Sequence, residues 1–579
     1  MSIPIVKGPD MAASLRGLCA ALEQAQFPLP GSYAEFGRDI CADLIRQLED
    51  YILPRYDSLD APLLAVVGGP TGAGKSLLVN SLVREHVASS TAIRPTTRSP
   101  LLVHAPGEGS WFASQRVLPG LARVRGIGAV ENKAGVQGEL RLAEHEGVPR
   151  GLALLDSPDI DSVVEENRRL AGQLLAAADL WIFVTTAARY SDAIPWALLQ
   201  EAANRDIVLA VVLNRVPSGV GTQIRPDFAR RLNERGLGSA PLFVVSEAVD
   251  SDGLIPEANV ESLRRWLRGI TEDSASRASV ARQTLAGAVD ALLEREDDIL
   301  TALGEQLALR ERMDRDVDEV FRAGEKTVAA SVDDGTLLRG EVLQRWQEIV
   351  GTGDWMRKLE NGVSSLRDRV SGWFRGGDNA ANLSGVDNAI EDSLITMLVT
   401  QAEEALAALE DEWLGRPEAV NVLTAAHMNV RSPSERQAAA ASAVRAWQRE
   451  LVEMVSSTGR NKKSTARILS VGVNVVGAAL MIAVFASTAG LTGGEVAVAG
   501  GTAVVAQRVL EAVFGDDAVR KMTAQAKNDL VQRTHEFLAE DALPFRECLE
   551  VLELDASVSA HIKESFEEAR QARGKERRR

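Results

Sequence analysis

The sequence predicts a two-part chain: an α/β phosphate-loop domain, its mostly parallel sheet flanked by helices, and after it an extended all-α bundle. Three observations carry this. Gly69-Pro70-Thr71-Gly72-Ala73-Gly74-Lys75-Ser76 fits G-x-x-x-x-G-K-[ST] and lies between a buried strand pattern at 63–67 and a helical one at 75–83. Short apolar runs alternate with amphipathic stretches to about residue 273, after which the strand patterns stop. A chain of 579 residues also exceeds what one core fills, because single cores stop growing at roughly 250–300 residues.

Taken in order, residues 1–60 read as N-terminal helices. The clearest helix covers 33–53, with Phe36, Ile40, Leu44, Leu48 and Ile52 at helical spacing. Residues 61–273 hold the α/β domain, with strands expected at 63–67, 101–104, 152–155, 180–184, 207–213 and 242–245 and a closing helix at 260–270. Residues 274–465 read as an extended helical bundle: a long apolar face from Leu285 to Val320, a turn at Asp333-Asp334-Gly335, then helices at 386–414 and 434–455. Residues 466–515 form an apolar hairpin or paddle. Residues 516–579 return to the bundle and end in a basic tail at 573–579, expected to be disordered.

The hydrophobic fraction of 45% and charged fraction of 25% are ordinary for a globular protein, while 4% aromatic content beside abundant Ala and Leu favours helix. A net charge of −17 excludes broad nucleic-acid binding, which needs basic surface to replace counterions, and confines any lipid contact to local basic clusters. Cys19, Cys41 and Cys548 lie far apart without metal-ligand spacing and read as reduced thiols; the six histidines are scattered, so no zinc site is expected. The start shows no charged segment followed by an apolar run and cleavage site, so a cytoplasmic location is expected.

The backbone of Gly69, Pro70, Thr71, Gly72, Ala73, Gly74, Lys75 and Ser76 is expected to wrap a nucleotide's phosphates at the positive end of the helix that follows. Lys75 would reach the β- and γ-phosphates and Ser76 would ligate Mg²⁺. Such a site needs a second acid, and Asp156 in Leu154-Leu155-Asp156-Ser157-Pro158-Asp159 is the candidate. The plainer reading of Asp156 is a strand-end carboxylate capping a turn. Arg94-Pro95-Thr96-Thr97-Arg98 is a polar loop that could bring a threonine hydroxyl to the metal when a γ-phosphate is present, which would make it a switch.

On these motifs the chain resembles the translation-factor-related GTPases and, among them, the bacterial dynamin-like proteins. The resemblance implies that the α/β part is a P-loop GTPase domain, that the helical remainder is a neck and stalk, and that the ligands are GTP or GDP with Mg²⁺. It makes Thr97 the metal ligand of the switch, with Thr96 the alternative, and gives Lys75 and Thr97 the role of stabilising charge on the transferring phosphoryl group. Asp156-Ser157-Pro158-Asp159 is similar to the family's D-x-x-G, with Asp159 in place of glycine. Asn214-Arg215-Val216-Pro217 stands where [NT]-K-x-D reads guanine, and Ser246-Glu247 resembles the remaining base-contacting loop. An aspartate pairing with the guanine N1–H and amino group rejects ATP, and Pro217 cannot make that pair. Thr71 lies where dynamins carry glutamine, and Gly72 where relatives place a serine or asparagine.

The partners implied by the resemblance are a second copy or a higher oligomer through heads and stalk, a paralogous chain, and membrane lipid at the inner face of the cell membrane, with roles in cell division or membrane maintenance. Two rival readings stay open: a P-loop ATPase with a coiled-coil arm, on Pro217, and a nucleotide-locked scaffold, on Thr71, Gly72 and Asp159.

Residues 468–491 form a nearly uncharged apolar run, matching the ~20 residues of a bilayer-spanning helix. Residues 496–514 begin apolar and then carry Gln507, Arg508 and Glu511. Arg460, Lys462, Lys463 and Arg467 before, and Arg520 and Lys521 after, suit a hairpin with both ends on the cytoplasmic face. The alternative is burial of the run within the bundle. Residues 355–374 mix Trp355, Trp373 and Phe374 with Arg and Lys, a pattern that fits a lipid interface or a helix packed by one face.

Overall fold

All six apolar runs of the α/β domain become strands in the computed structural model, which describes residues 9–88, 99–114, 117–118, 120–125, 138–161, 165–190, 196, 199–200, 202–203, 206–217, 219–333, 342, 377–458, 473–486, 506–507, 510–511 and 513–578. The strands are β1 (Leu63–Gly68), β2 (Leu101–His104), β3 (Ala122–Arg125), β4 (Glu139–Glu144), β5 (Leu152–Asp156), β6 (Leu180–Thr186), β7 (Val208–Val216) and β8 (Leu242–Ser246). They form one sheet in the order β3-β4-β2-β5-β1-β6-β7-β8, parallel throughout except where β2 meets β5. β1, β5 and β6 are buried at every position, as strands covered on both faces must be. Alternation divides β1 between two cores: Leu64 and Val66 enter one, Leu63, Ala65 and Val67 the other.

β3 and β4 were not among the expected strands. β4 alternates buried with open residues and β3 is largely exposed, so neither carries a continuous apolar run.

The chain divides into two compact units, the first Met1–Phe27, Ser32–Glu305 and Asp555–Arg579, the second Pro28–Gly31 and Gln306–Leu554. In the first, the expected helix at 33–53 is helix Ser32–Gln47, one widened π turn Leu48–Ile52 and helix Leu53–Asp57. Ile40, Leu44, Leu48 and Ile52 are buried, but Phe36 is 43% exposed. A spacing of four drifts around an α-helix of 3.6 residues per turn, and the π turn resets the phase for Leu48 and Ile52. The basic end is also corrected: helix Ala556–Arg578 continues through it, because Arg573 and Arg577 pair with Asp290 of helix Ser274–Leu293.

Asp179 ties these helices to the sheet. Its carboxylate accepts the Leu64 N–H at 2.8 Å and the Tyr51 hydroxyl at 3.1 Å and pairs with Arg55 at 3.0 Å, while Thr284 donates to its carbonyl at 2.9 Å. Burial raises the Asp179 pKa despite the opposing charge of Arg55.

The second unit is helical over its described residues, with helices Gly377–Leu414, Pro417–His427, Pro433–Thr458, Val473–Ala486 and Asp516–Val551. Trp413 lies edge-on to Phe545 at 5.9 Å and donates its indole N–H to Asp316. Asp541, fully buried, is held by Arg431 at 2.9 Å and Arg436 at 3.3 Å.

Helix Val473–Ala486 is the described part of the apolar run. Its residues from Val476 to Phe485 lie in this core, with Phe485 5.9 Å from Trp447. Among the described residues no helix is long and apolar enough to cross a membrane. Burial in the bundle, the alternative left open by the sequence, is what this segment shows. The basic residues at 460–467, the segment 487–505 and the amphipathic stretch 355–374 lie outside the described residues.

Asp387 on helix Gly377–Leu414 has a buried Oδ1 with no partner among the described residues. Burial, with the charge of Glu391 adding, pushes its pKa up to about 6. The folded chain therefore holds a proton that the unfolded chain releases between about pH 4 and pH 6, so stability falls as pH rises through that window and stays lowered above it. Asp387→Asn is expected to raise the urea midpoint of the full chain near neutral pH and to leave it unchanged below about pH 4. Urea melts at both pH values check this, and a lowered neutral midpoint contradicts it.

Candidate functional site

Strand pairing assembles the site. β1 runs between β5 and β6 in the same direction, Val67 level with Asp156 and Gly68 with Phe183, so the segments leaving all three share the sheet's carboxyl edge. At Gly69 the chain passes so close to β6 that a Cβ would lie 2.1 Å from the Val184 carbonyl oxygen. Gly74, with φ +89°, caps helix Lys75–Val83, and a Cβ there would meet the Asn214 amide nitrogen at 2.5 Å. The Val184 backbone at Gly69, and the left-handed φ together with the Asn214 amide at Gly74, call for glycine at both motif positions.

Lys75 starts that helix and folds back over the loop, its Nζ donating to the carbonyls of Gly69 at 2.9 Å and Pro70 at 3.3 Å. It also pairs with Asp159, and with Lys75 only 5% exposed the pair is nearly dry. Asp159 thus supplies an anionic oxygen to the cation that the motif reserves for phosphate.

Ser76 Oγ donates to Asp156 Oδ2 at 2.6 Å, and Asp156 Oδ1 is buried with no partner among the described residues. Burial pushes Asp156 up to about 6, against the pull of the Ser76 hydrogen bond and the Lys75 charge, with the Asp159 charge adding.

Asn214, buried on β7, donates its amide to Ala73 O at 2.8 Å and braces the loop from the far side. Arg215 sits at φ +51° in an irregularity between Leu213 and Val216, and both it and Pro217 are exposed. The Glu247 N–H donates to Val216 O at 2.9 Å, which sets Ser246 and Glu247 beside that strand end. The structure therefore gathers Gly69 to Ser76, Asp156 and Asn214 around one loop, with Arg215, Ser246 and Glu247 on neighbouring strand ends. Thr97 and Thr96 lie outside the described residues.

Two residues were not foreseen. Asp161 Oδ1 accepts the Thr71 N–H at 2.6 Å and the Thr71 hydroxyl at 2.7 Å, and Arg189 Nη1 donates to Thr71 O at 2.9 Å and to Asp161 Oδ2 at 2.8 Å. Burial alone would raise the Asp161 pKa, but the bonds from Thr71 and Arg189 outweigh it and hold the carboxyl below its usual range. The signal available for Arg189 was its place: a cation in the turn straight after a fully buried central strand.

Loop and sheet together define a phosphate-loop α/β head, carried on a chain that continues into a helical second unit. Two solved structures, described as "An oligomerised bacterial dynamin pair provides a mechanism for the long-range sensing and tethering of membranes", are similar to 99% of this chain and to 95% and 96% of their own, at 10% identity and a TM-score of 0.45. The crystal structure of Era in complex with MgGDPNP and nucleotides of 16S ribosomal RNA matches 36% of this chain and 56% of its own, at 17% identity and a TM-score of 0.23. That of Toc33 from Arabidopsis thaliana in complex with Mg²⁺ and GMPPNP matches 44% and 96%, at 11% identity and a TM-score of 0.23. No protein-family model matches the sequence, and no curated protein does.

The Lys75–Asp159 pair sets a test. A nucleotide bound in this loop would have to displace the carboxylate from Lys75 and then tolerate its charge, so on that reading Asp159→Asn is expected to tighten GTP binding by roughly tenfold, about 1.4 kcal/mol. Titration of both proteins with a fluorescent GTP analogue measures it; equal or weaker binding by the variant removes Asp159 from the competition.

Proposed function

We propose that this protein is a dynamin-like GTPase that binds and hydrolyses GTP with Mg²⁺ and couples dimerisation of its heads to binding or remodelling at the inner face of a membrane, in cell division or membrane maintenance. The observation that carries the nucleotide part is the Ser76–Asp156 pair at the mouth of a preformed loop. A hydroxyl and a buried carboxylate with one unpartnered oxygen are hard oxygen donors of the kind Mg²⁺ takes. When bound, the ion would neutralise charge on the phosphate oxygens. Lys75, already aimed along the loop by two carbonyls, would stabilise charge on the transferring phosphoryl group, and Thr97 would join it from the switch segment. Asn214, Arg215, Ser246 and Glu247 would border the base. The oligomeric and membrane part rests on the motif resemblance and on the helical second unit that follows the head.

A second reading, a P-loop ATPase, is favoured by Pro217, exposed at the strand end where a guanine-reading carboxylate would stand. Competition between GTP and ATP for the purified full chain separates the two. GTP is expected to win, with phosphate release abolished by Lys75→Ala; preferential ATP binding would end the GTPase reading. For the membrane part, the full chain is expected to float with anionic liposomes in the presence of a GTP analogue, and absence of flotation in every nucleotide state would exclude it.

A further inference from the structure

β6 lies beside β1, so its carboxyl end emerges next to the phosphate loop, and the chain turns there at once: the N–H groups of Arg189 and Tyr190 both donate to Thr186 O at 3.0 Å. Tyr190 anchors the turn. Its ring packs 5.3 Å from Phe228, its hydroxyl donates to Asp227 at 3.1 Å, and the Arg231 guanidinium lies 5.6 Å over the ring. The backbone of the turn is thus fixed, and Arg189, its side chain 39% exposed, lies against the loop, where its Nη1 reaches Thr71 O and Asp161.

Three successive loop carbonyls then carry two cations: Gly69 and Pro70 hold the Lys75 ammonium, and Thr71 holds the Arg189 guanidinium. The two cations are thus held by neighbouring residues of one loop. We infer that Arg189 is the charge-stabilising arginine of phosphoryl transfer at this site, supplied by the same chain and positioned by Asp161. This rests on the GTPase reading above.

In the step itself, a water oxygen bonds to the γ-phosphorus as the bond from that phosphorus to the β–γ bridging oxygen breaks. The electron pair stays on the GDP leaving group, and the water's two protons leave with the inorganic phosphate, one passing on to solvent at neutral pH. Negative charge builds on the bridging and γ-oxygens, and a planar guanidinium fork beside Lys75 matches it. Asp161 holds Arg189 and Thr71 together through its two oxygens, so guanidinium and loop keep one register.

The test uses the full chain, comparing wild type with Arg189→Ala, Arg189→Gln and Arg189→Lys in three readouts: binding of fluorescent GDP, capture of GDP with aluminium fluoride, and phosphate release from GTP. The Ala and Gln variants are expected to bind GDP within about twofold of wild type, to lose the aluminium fluoride complex, and to fall at least roughly a hundredfold in kcat, with Lys restoring part of both. A structural strut would instead show lost GDP binding in Ala that Gln restores, because Gln keeps a donor to Thr71 O; that result overturns the inference. So does an Ala variant that keeps the aluminium fluoride complex and hydrolyses at the wild-type rate, or a wild type that binds GTP and never releases phosphate. Wild type binding neither GDP nor GTP sinks the GTPase reading instead, which keeps the two failures apart.

Discussion

The site depends on the parallel packing of β1 between β5 and β6 with almost no space at its exit. Gly69 passes the Val184 carbonyl so closely that even one carbon is excluded, and this contact sends the chain into the loop rather than onward as strand. Because all three strands point the same way, the segments 69–76, 157–161 and 186–190 must meet at one edge. The ion pairs Lys75 to Asp159 and Arg189 to Asp161 each join two of those segments, and the hydrogen bond from Ser76 to Asp156 joins the loop to the end of β5. The chemistry is therefore a property of backbone registration first and of side chains second.

Charge explains the way the segments close on one another. Asp156, Asp159 and Asp161 bring three carboxylates to a place where Lys75 and Arg189 supply two cations, and Lys75 and Asp156 are almost wholly out of water. Burying a charge costs several kcal/mol unless it is paired, so each cation takes the nearest carboxylate. Asp156 takes the neutral donor Ser76 and retains one oxygen without a partner. Lys75 is thus neutralised within the site by Asp159, and the loop does not present a free basic cleft.

Much of this was legible in the sequence where a single local property decides. The motif glycines, Lys75 and Ser76 follow from spacing, and β1, β5 and β6 from unbroken apolar runs. β3 and β4 were not, because edge strand β3 is largely exposed and its neighbour β4 mixes buried with open positions, so neither carries such a run. Asp161 and Arg189 lie 90 and 118 positions from Thr71, and no periodicity links residues brought together only by strand order. The apolar run was ambiguous in principle: a bilayer and a helical core make the same demand on side chains, and only the packing of Phe485 on Trp447 separates them for residues 473–486. The basic end read as a tail because its partner, Asp290, stands 283 positions earlier.

Asp179 determines how a change at the loop could reach the helices of the first unit. It fixes the amino end of β1 through the Leu64 N–H, its own N–H donates to the Leu64 carbonyl at 3.0 Å, and it stands immediately before β6. The same residue holds Tyr51, Arg55 and Thr284, which come from helical segments on both sides of the sheet's sequence. β1 and β6 are thus anchored at one end to those segments and at the other to Lys75 and Arg189. A buried, multiply bonded carboxylate resists displacement, since breaking one of its bonds strands a charge in a dry place. Rearrangement is then less costly at the carboxyl edge, where Asp159 and Asp161 each hold a cation, than at the Asp179 end of the same two strands.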